Sequence, residues 1–330
     1  MTCANPAATP ATCEQLTYLN GLSSAPEPRF LSGVFTAECA STLAEETGHH
    51  AALIGVEYCR GFGIHEVDHP SQTIAWRELN PALIIHAAAG GMVRVLSHFP
   101  NPCNARYGGL RDKDADITAI LQAGTAARAR WLAMLDELAA GFHDLAQHGI
   151  TVIYGPLHEM NCNGFWWGAT PERIGIAGYR ALWADLFHYL SVEKGCDNLL
   201  WLFAPLGHDP LDMQIYPGDN MVDLVGLDVY GGSIVPCTPV YQQLAALDKP
   251  VVLSEYGPVA WNEPEDNYPR YDCRLLAHEL ATHWPQICSF MFWGGHFAPS
   301  AHDHADAMLA DPRVITRHQL ATERPLETSI

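Results

Sequence analysis

Eight short apolar runs, separated by helical stretches, are the feature that most constrains the fold of this chain. From Phe30 onward, runs rich in β-branched and aromatic residues alternate with segments whose apolar residues recur every three or four positions. This alternation predicts βα units and a parallel sheet. The runs are apolar throughout, as is typical of strands covered on both faces. The predicted strands are Leu31–Phe35, Ala52–Cys59, Met92–His98, Thr151–His158, Leu199–Pro205, Val222–Tyr230, Pro250–Glu255 and Ser289–Trp293.

The stretches between these runs predict helices. Ala115–His148 carries apolar residues at helical spacing. Thr170 and Pro171 are typical of a helix start, and Gly195 of its end after Lys194. Further helices are predicted for Tyr271–Trp284 and for the last segment, Ala305–Leu320, which we expect to cover the base or side of the molecule.

Eight βα units in 330 residues predict an α/β fold of the (β/α)8 TIM barrel class. Without an internal repeat or linker, we expect a single catalytic domain over residues 29–330. Residues 1–28 are rich in Pro, Ala and Thr and include Cys3 and Cys13. They predict an N-terminal arm that is either closed by a small disulfide loop and laid on the barrel, or disordered.

The charge balance argues against several classes of partner. The formal net charge is −19, from 18 basic and 37 acidic residues. That charge opposes binding to nucleic acid or to an anionic membrane surface. No apolar run reaches about 18 residues, so no transmembrane helix is predicted. We expect a monomer that acts on a neutral substrate.

Ten cysteines are many for a cytosolic enzyme of this size, and none forms a CxxC pair. Disulfides in an oxidising compartment and reduced, buried thiols are both open readings. We expect a secreted, extracellular protein whose signal peptide has been removed. Cysteines on neighbouring loops predict four bridges, with Cys196 and Cys288 reduced. The predicted pairs are Cys3–Cys13, Cys39–Cys59, Cys103–Cys162 and Cys237–Cys273.

Two of the apolar runs end in a glutamate, Glu159 and Glu255. Carboxylates are seldom buried without a partner or a task. In a (β/α)8 barrel the chemistry lies at the C-terminal ends of the strands. Cleavage of a glycosidic bond needs two such groups, a carboxylic acid to protonate the leaving oxygen and a carboxylate to attack or to activate water. The other strand ends also carry acids, imidazoles and aromatics, namely Glu38, Glu57, Tyr58, His98, His158, Asp228, Tyr230 and Trp293.

At these positions the chain resembles glycoside hydrolase family 26, typified by β-mannanases. The matching motifs follow the family's order and span roughly residues 30–320. They are His158-Glu159-Met160-Asn161, Phe165-Trp166-Trp167-Gly168, Tyr216-Pro217-Gly218-Asp219, Val222–Tyr230, Ser254-Glu255-Tyr256-Gly257 and Asp311–Thr316.

The resemblance implies a retaining endo-β-1,4-mannanase that needs no cofactor and acts on mannan, glucomannan or galactomannan. It implies Glu159 as general acid/base and Glu255 as nucleophile, with the two carboxyls about 5–5.5 Å apart. It also implies that His158 contacts the sugar and that Tyr230 hydrogen-bonds the nucleophile. His98 and Trp293 would line the same subsite. Of Trp166 and Trp167, we expect one to line the groove and the other to pack in the core.

The chain departs from the family pattern at two places. Mannanases read Asn-Gly-x-Trp after the acid, whereas this chain reads Asn161-Cys162-Asn163-Gly164. An arginine often follows the tryptophan of the eighth strand, but here Gly294 and Gly295 do. These changes keep open a relative acting on β-1,3-xylan or mixed-linkage β-glucan. An alternative of another class is a polysaccharide-binding barrel without turnover.

Two clusters of histidine and acid could in principle bind a metal. They are His302-Asp303-His304-Ala305-Asp306 and His65-Glu66-Val67-Asp68-His69. Neither follows a known ligand spacing, and 17 histidines make chance clusters common. No metal site is predicted.

Overall fold

The structure, a computed structural model, describes residues 1–60 and 67–324. All eight predicted strands are present, with ends shifted by a few residues. They are β1 Phe30–Phe35, β2 Leu53–Arg60, β3 Met92–His98, β4 Val152–Pro156, β5 Leu199–Phe203, β6 Leu224–Tyr230, β7 Val251–Gly257 and β8 Ile287–Phe292, followed by a short β9 at Val314–Ile315.

Helices separate the strands. They are α1 Pro10–Ser23, α2 Ala37–Thr47, α3 Trp76–Ala88, α4 Ile117–Leu121, α5 Ala126–Gln147, α6 Gly175–His188, α7 Thr238–Ala245, α8 Arg274–His283, α9 Ala305–Leu309 and α10 Arg317–Glu323. A π-helical turn, Tyr189–Glu193, extends α6. Within the described ranges, no helix combines the length and apolar character needed to span a bilayer.

The strands form one parallel sheet in the order β2-β3-β4-β5-β6-β7-β8-β1, and β1 also pairs with β2. In β1, Gly33 is opposite Leu53 on one side and Met291 on the other. The eight strands therefore close into a ring, which confirms the predicted (β/α)8 barrel. The short β9 pairs with the outer end of β1, where Phe30 is opposite Val314.

The chain forms two compact units. The first comprises, among the described residues, 1–14, 57–60, 67–81 and 95–223. Its core is rich in fully buried indoles, Trp131, Trp166, Trp183 and Trp201. At the start of this unit, the amide of Ala4 donates to Asp223 Oδ1 (2.6 Å), while Asp223 Oδ2 accepts from the amide of Trp201 (2.8 Å). The N-terminal segment is thus hydrogen-bonded to the residues that precede β6.

The second unit comprises, among the described residues, 15–56, 82–94 and 224–324. Its strands β6, β7 and β8 are buried along almost their whole length. On its helical layer, Tyr241 stacks on Trp284 with ring centroids 5.0 Å apart. Ser32 of β1 donates to the carbonyl of Ile315 (2.9 Å) and accepts from the amide of Ala52 (3.2 Å). Side chains as well as backbone therefore connect neighbouring strands.

Three predicted helices differ from those observed, each because of a local break. Residues 170–174 form a turn, and α6 begins only at Gly175, whose φ of +69° interrupts a right-handed helix. Gly124, with φ +86°, separates α4 from α5, and the Thr125 side chain caps α5 by accepting from the amide of Arg128. The last predicted helix is divided into α9, β9 and α10, because Val314–Ile315 pairs with β1.

Three of the four predicted disulfides are wrong. Cys39, Cys59, Cys103, Cys162, Cys237 and Cys273 are all thiols, as are Cys196 and Cys288. Position along the chain does not fix which way a side chain points, and several of these sulfurs have other partners. Cys103 accepts from the amide of Asp116 (3.2 Å), and Cys273 faces the carbonyl of Pro299. Only Cys3 and Cys13, with Cα atoms 5.8 Å apart, have the spacing of a bridge among the described cysteines.

Candidate active site

Glu159 lies just beyond β4 in an unusual backbone conformation. Its φ is +53°, and that of Leu157 is +50°, so His158 stands between two residues in the left-handed region. A non-glycine residue pays about 1–2 kcal/mol for this conformation. Such strain persists only where surrounding contacts enforce it, and it clusters at functional sites. The sequence showed that a glutamate ends this strand but not that it sits in a strained turn.

The turn that carries Glu159 is held by its neighbours in the first unit. The amide of Glu159 donates to the carbonyl of Ala204 at 2.8 Å. The Asn161 side chain donates to the carbonyls of Leu206 (2.9 Å) and Asp209 (3.1 Å) and accepts from the amide of Leu206 (2.8 Å). The residues after the acid are therefore tied to the loop that follows β5. This explains why an asparagine stands two residues beyond Glu159.

Trp166 and Trp167 both pack behind this turn. Each is 0% exposed. The indole of Trp167 donates to the carbonyl of His158 (2.8 Å), and that of Trp166 donates to the carbonyl of Phe99 (2.8 Å). Both indoles thus support the backbone, and Trp167 holds the peptide next to Glu159. Direct contact of either ring with a sugar stays a prediction.

His98, at the end of β3, is oriented by Glu57 of β2. Glu57 accepts from the amide of His98 (2.8 Å) with one oxygen and from Nδ1 of its imidazole with the other. Burial lowers the pKa of His98 to about 3, and the nearby Arg111 acts in the same direction. The ring is therefore neutral at pH 7. Because an ionised carboxylate only accepts, the proton lies on Nδ1 and leaves Nε2 as an acceptor.

His98 and His158, both implied as subsite residues by the resemblance, lie next to each other, and their contact with a sugar stays a prediction. Their rings meet edge to face with centroids 4.4 Å apart. Phe165 packs against His98 at 5.1 Å and stacks on Trp167 at 4.6 Å. Arg111 lies over the outer side of Phe165, 5.8 Å from the ring centre. The two buried imidazoles thus pack against each other and against aromatic rings, and His158 directly precedes Glu159 in the chain.

In the second unit, Glu255 lies on β7 and is 2% exposed. The phenol of Tyr230, at the end of β6, donates to its Oε2 at 2.7 Å. The resemblance implied a hydrogen bond between these two residues, and the role of Glu255 as nucleophile stays a prediction. A hydrogen bond to the charged form favours an ionised carboxylate.

A β-bulge turns Glu255 toward Tyr230. In β6–β7 pairing, Leu227 is opposite Leu253, but Asp228 is opposite Glu255, so Ser254 is the extra residue. Ser254 donates to Asp228, while Glu255 accepts from Tyr230. Asp228 and Tyr230 are two residues apart and share a face of β6, whereas consecutive residues of a regular strand point to opposite faces. The bulge lets both Ser254 and Glu255 meet that one face.

Arg94 of β3 is the charged group that supports this bulge. Its side chain is 2% exposed, and its guanidinium donates to the carbonyl of Ser254 and contacts the sulfur of Met291 (3.7 Å). A buried guanidinium is costly without partners, and the Ser254 carbonyl supplies one of them. The structural role that the sequence favoured for Asp228 stays a prediction.

Trp293 follows β8 and is partly exposed. One face of its indole stacks on Phe35, with centroids 4.1 Å apart and an interplanar angle of 14°. Its amide donates to the carbonyl of Tyr256 (2.9 Å), the residue that follows Glu255. A flat ring fixed on one side is the arrangement that stacking on a sugar requires.

The supporting contacts of four residues, Glu57, Arg94, Ser254 and Phe35, were not predicted from the sequence. Glu57 is a strand-end acid, but nothing in its neighbours in the sequence indicates a contact with His98. Arg94 offered a usable signal, because an arginine within the apolar run of β3 must have buried partners. Ser254 and Phe35 gave none, since their roles depend on pairing between distant strands.

The two histidine clusters have other partners. His302 is buried and accepts from the amide of Tyr271 (3.2 Å), and burial lowers its pKa to about 4. Asp303 is paired with Arg270 at 2.7 Å. His65 and Glu66 lie outside the described residues, and His69 caps the turn at Ser71. The absence of a metal site stays a prediction.

Comparison with known proteins assigns the family. The model of glycosyl hydrolase family 26 matches residues 5–319. A mannan endo-1,4-beta-mannosidase of Bacillus subtilis is 28% identical over 96% of this chain and 89% of its own length. Mannan endo-1,4-beta-mannosidase A and B of Caldalkalibacillus mannanilyticus is 30% identical over 96% of this chain and 62% of its own length. The structure of Bacillus subtilis mannanase man26 aligns with a TM-score of 0.85 at 27% identity, covering 96% of this chain and 95% of that one. The chain therefore belongs to glycosyl hydrolase family 26 and is a glycoside hydrolase.

Proposed function

We propose that this protein is a retaining endo-1,4-β-mannanase, with Glu255 as nucleophile and Glu159 as general acid/base. Family membership and the activity named for its bacterial relatives support the substrate class. The observation that carries the assignment of residues is the buried Glu255 carboxylate, held by the phenol of Tyr230 at 2.7 Å. A carboxylate that must attack needs a fixed position and a partner that keeps it ionised.

Glu159 suits the complementary role. It is partly exposed, unlike Glu255, and its backbone is fixed in the left-handed region. A proton donor that later accepts a proton from water needs access to solvent and a fixed direction. Neutral His98, with Nε2 as acceptor, would bind a sugar hydroxyl, and His158 would do the same. Trp293 would supply the stacking surface for the sugar's apolar face.

The reaction would take two steps. In the first, Glu255 attacks the anomeric carbon, the bond to the leaving sugar breaks, and Glu159 gives its proton to the departing oxygen. In the second, Glu159 takes a proton from water, the water oxygen attacks the same carbon, and Glu255 leaves as a carboxylate. Two inversions give net retention, and no cofactor is needed.

The proposal is tested by release of reducing sugar from mannan, glucomannan and galactomannan. Glu255→Ala should lose nearly all activity, by about 10⁴-fold or more, as expected for loss of a nucleophile that acts covalently. Exposed Glu172→Ala is the matched control and should keep wild-type rates. A slow 2-fluoro-mannosyl substrate should add one glycosyl mass to Glu255. Mass on any other residue, or full activity in Glu255→Ala, contradicts the assignment.

Two alternatives are decided by the same assay. Release from β-1,3-xylan or barley β-glucan but not from mannans would mean that Gly164 and Gly294 mark a changed substrate. Binding of polysaccharide without release from any would favour a binding protein. We also propose that the protein is secreted and monomeric, with a disulfide between Cys3 and Cys13.

A further inference from the structure

Both backbone groups of Glu159, its amide and its carbonyl, are hydrogen-bonded, and Cys162 is the partner of the carbonyl. The amide of Glu159 donates to Ala204 at 2.8 Å. Its carbonyl receives two hydrogen bonds from Cys162, one from the amide (3.3 Å) and one from the thiol (3.1 Å). Both donors of a single residue thus converge on the carbonyl of the strained glutamate. A hydrogen bond there opposes rotation of Glu159 out of the left-handed region.

The thiol has a second contact that fixes its own direction. The amide of Gly164 donates to Cys162 Sγ at 3.3 Å. A Cβ at position 164 would lie 3.2 Å from this sulfur and within 4 Å of nothing else. The absence of a side chain at Gly164 therefore leaves room for the Cys162 sulfur. These are also two positions where the chain departs from the Asn-Gly-x-Trp pattern, which suggests that the two changes belong together.

We propose that Cys162 is a positioning residue for the acid/base. Its thiol donates a hydrogen bond to the Glu159 carbonyl and so directs the carboxyl toward the leaving oxygen. This inference rests on the proposed function of Glu159. Cys162 itself touches no reacting atom in this scheme. Burial raises the pKa of its thiol to about 11, so the group keeps its proton and remains a donor at neutral pH.

Loss of the hydrogen bond from Cys162 should have a kinetic effect that general destabilisation of the fold does not have. Departure of a sugar alkoxide needs a proton from Glu159, whereas dinitrophenolate leaves without one. A misdirected acid should therefore slow glycosylation by mannan and spare glycosylation by a dinitrophenyl β-mannobioside. Because kcat/KM reports the steps up to the first irreversible one, it isolates glycosylation from the later attack of water.

The experiment compares kcat/KM for the two substrates, and its pH profile, in four variants of the whole chain. Cys162→Ala should lower kcat/KM on mannan about 10- to 100-fold, the size of effect that a small misplacement produces, and change the dinitrophenyl value less than about threefold. Cys162→Ser, which can still donate and accept, should recover most of the mannan activity. Cys103→Ala is the matched control, because that half-buried thiol also accepts from a backbone amide, Asp116, at 3.2 Å. Gly164→Ala adds a methyl group against the sulfur and should also lower kcat/KM on mannan while sparing the dinitrophenyl substrate. This variant replaces Cys162→Ala in the test if Cys162→Ala does not fold.

The outcomes separate this inference from the proposed function. The proposal is overturned if Cys162→Ala matches Cys103→Ala on mannan, or if both substrates lose rate equally. A Gly164→Ala enzyme with wild-type values on both substrates counts against it as well. Glu159→Ala is run alongside. If Glu159→Ala shows no selective loss of activity on mannan, the acid/base assignment itself fails. If Glu159→Ala shows that loss but Cys162→Ala does not, only the proposed role of Cys162 fails.

Discussion

Tyr230 lies so close over Gly257 that no side chain fits beneath it. A Cβ at position 257 would be 2.8 Å from Cε1 of Tyr230 and 2.9 Å from Cδ1 of Phe297. The two residues are direct partners in the β6–β7 register. The missing side chain lets the tyrosine ring lie across β7 and reach Glu255 with its hydroxyl. The glycine that ends the Ser254–Gly257 motif thus leaves room for the tyrosine that binds Glu255.

Gly257→Ala should therefore reduce activity through Tyr230. The added methyl displaces the phenol, and Glu255 loses its hydrogen bond. We expect kcat on mannan to fall about 10- to 100-fold, comparable with Tyr230→Phe, since misplaced catalytic groups lose rate on this scale. Gly232→Ala is the control, because a Cβ there meets only Pro258, at 3.9 Å. Equal rates for the Gly257 and Gly232 variants would disprove the link.

Ser254→Ala should disturb the bulge that aims Glu255. The change removes the hydrogen bond to buried Asp228 and leaves that carboxylate one partner short. We expect a loss of about 1–3 kcal/mol in the free energy of unfolding and a lower kcat. Ser32→Ala, which removes a buried hydroxyl bonded to the Ile315 carbonyl, should lose stability alone. Urea unfolding and initial rates distinguish the two; a Ser254 variant with unchanged kcat would show that the bulge does not depend on this bond.

Glu57→Gln should change the orientation of His98. The amide keeps the shape of the side chain, but its nitrogen cannot accept a hydrogen bond, so one of the two bonds from His98 is lost. We expect a rise in KM together with a fall in kcat, of about 10-fold in kcat/KM, the scale of one charged hydrogen bond. Glu45→Gln, at an exposed site, should match the wild type. A Glu57 variant with wild-type kcat/KM would remove this glutamate from the proposed site.

Stability should fall as the solution becomes acidic because buried histidines must remain neutral. Burial lowers the pKa of His86 to about 4, and Arg317 and His50 add to this effect. The unfolded chain binds the proton near pH 6.5 but the folded one does so only near pH 4. This contribution is therefore intact above about pH 6.5 and is lost between there and pH 4, by up to about 3 kcal/mol.

His86→Gln should flatten that part of the pH dependence, since glutamine does not titrate. Arg317→Met should also help at low pH, because Arg317 Nη1 lies 3.4 Å from His86 Nδ1, where the additional proton would bind. Urea midpoints measured from pH 7.5 to 4.5 provide the test. Parallel curves for wild type and His86→Gln would mean that other groups dominate.

Alkylation without reductant, under denaturing conditions, should label eight of the ten cysteines. Cys3 and Cys13 alone would be protected by their proposed bridge. Intact mass gives the count directly. Ten labels would disprove the bridge, and two would restore the four bridges predicted from the sequence. If the bridge forms, its reduction should lower the free energy of unfolding by about 2–3 kcal/mol, as expected for a short loop.

Some of this architecture could be predicted from local patterns alone. Continuous apolar runs alternating with helical periodicity predicted β1 to β8 and hence the barrel. Both proposed catalytic glutamates were visible because a carboxyl group at the end of an apolar run is costly without a purpose. Helix boundaries were less predictable: Thr170 and Pro171 are typical of a helix start, yet the helix begins only at Gly175, whose φ is positive, four residues later than predicted.

The sequence by itself therefore determined the fold class, the family and the two carboxylates, because these follow from residue type and spacing along the chain. The tertiary structure alone decided how those carboxylates are held. The bulge at Ser254 depends on register between β6 and β7, and the left-handed turn at Glu159 depends on Ala204 and Cys162. The burial of both Trp166 and Trp167 and the state of the cysteines were likewise decided there. Each of these features arises from contacts between segments that folding brings together, and local propensity carries no record of them.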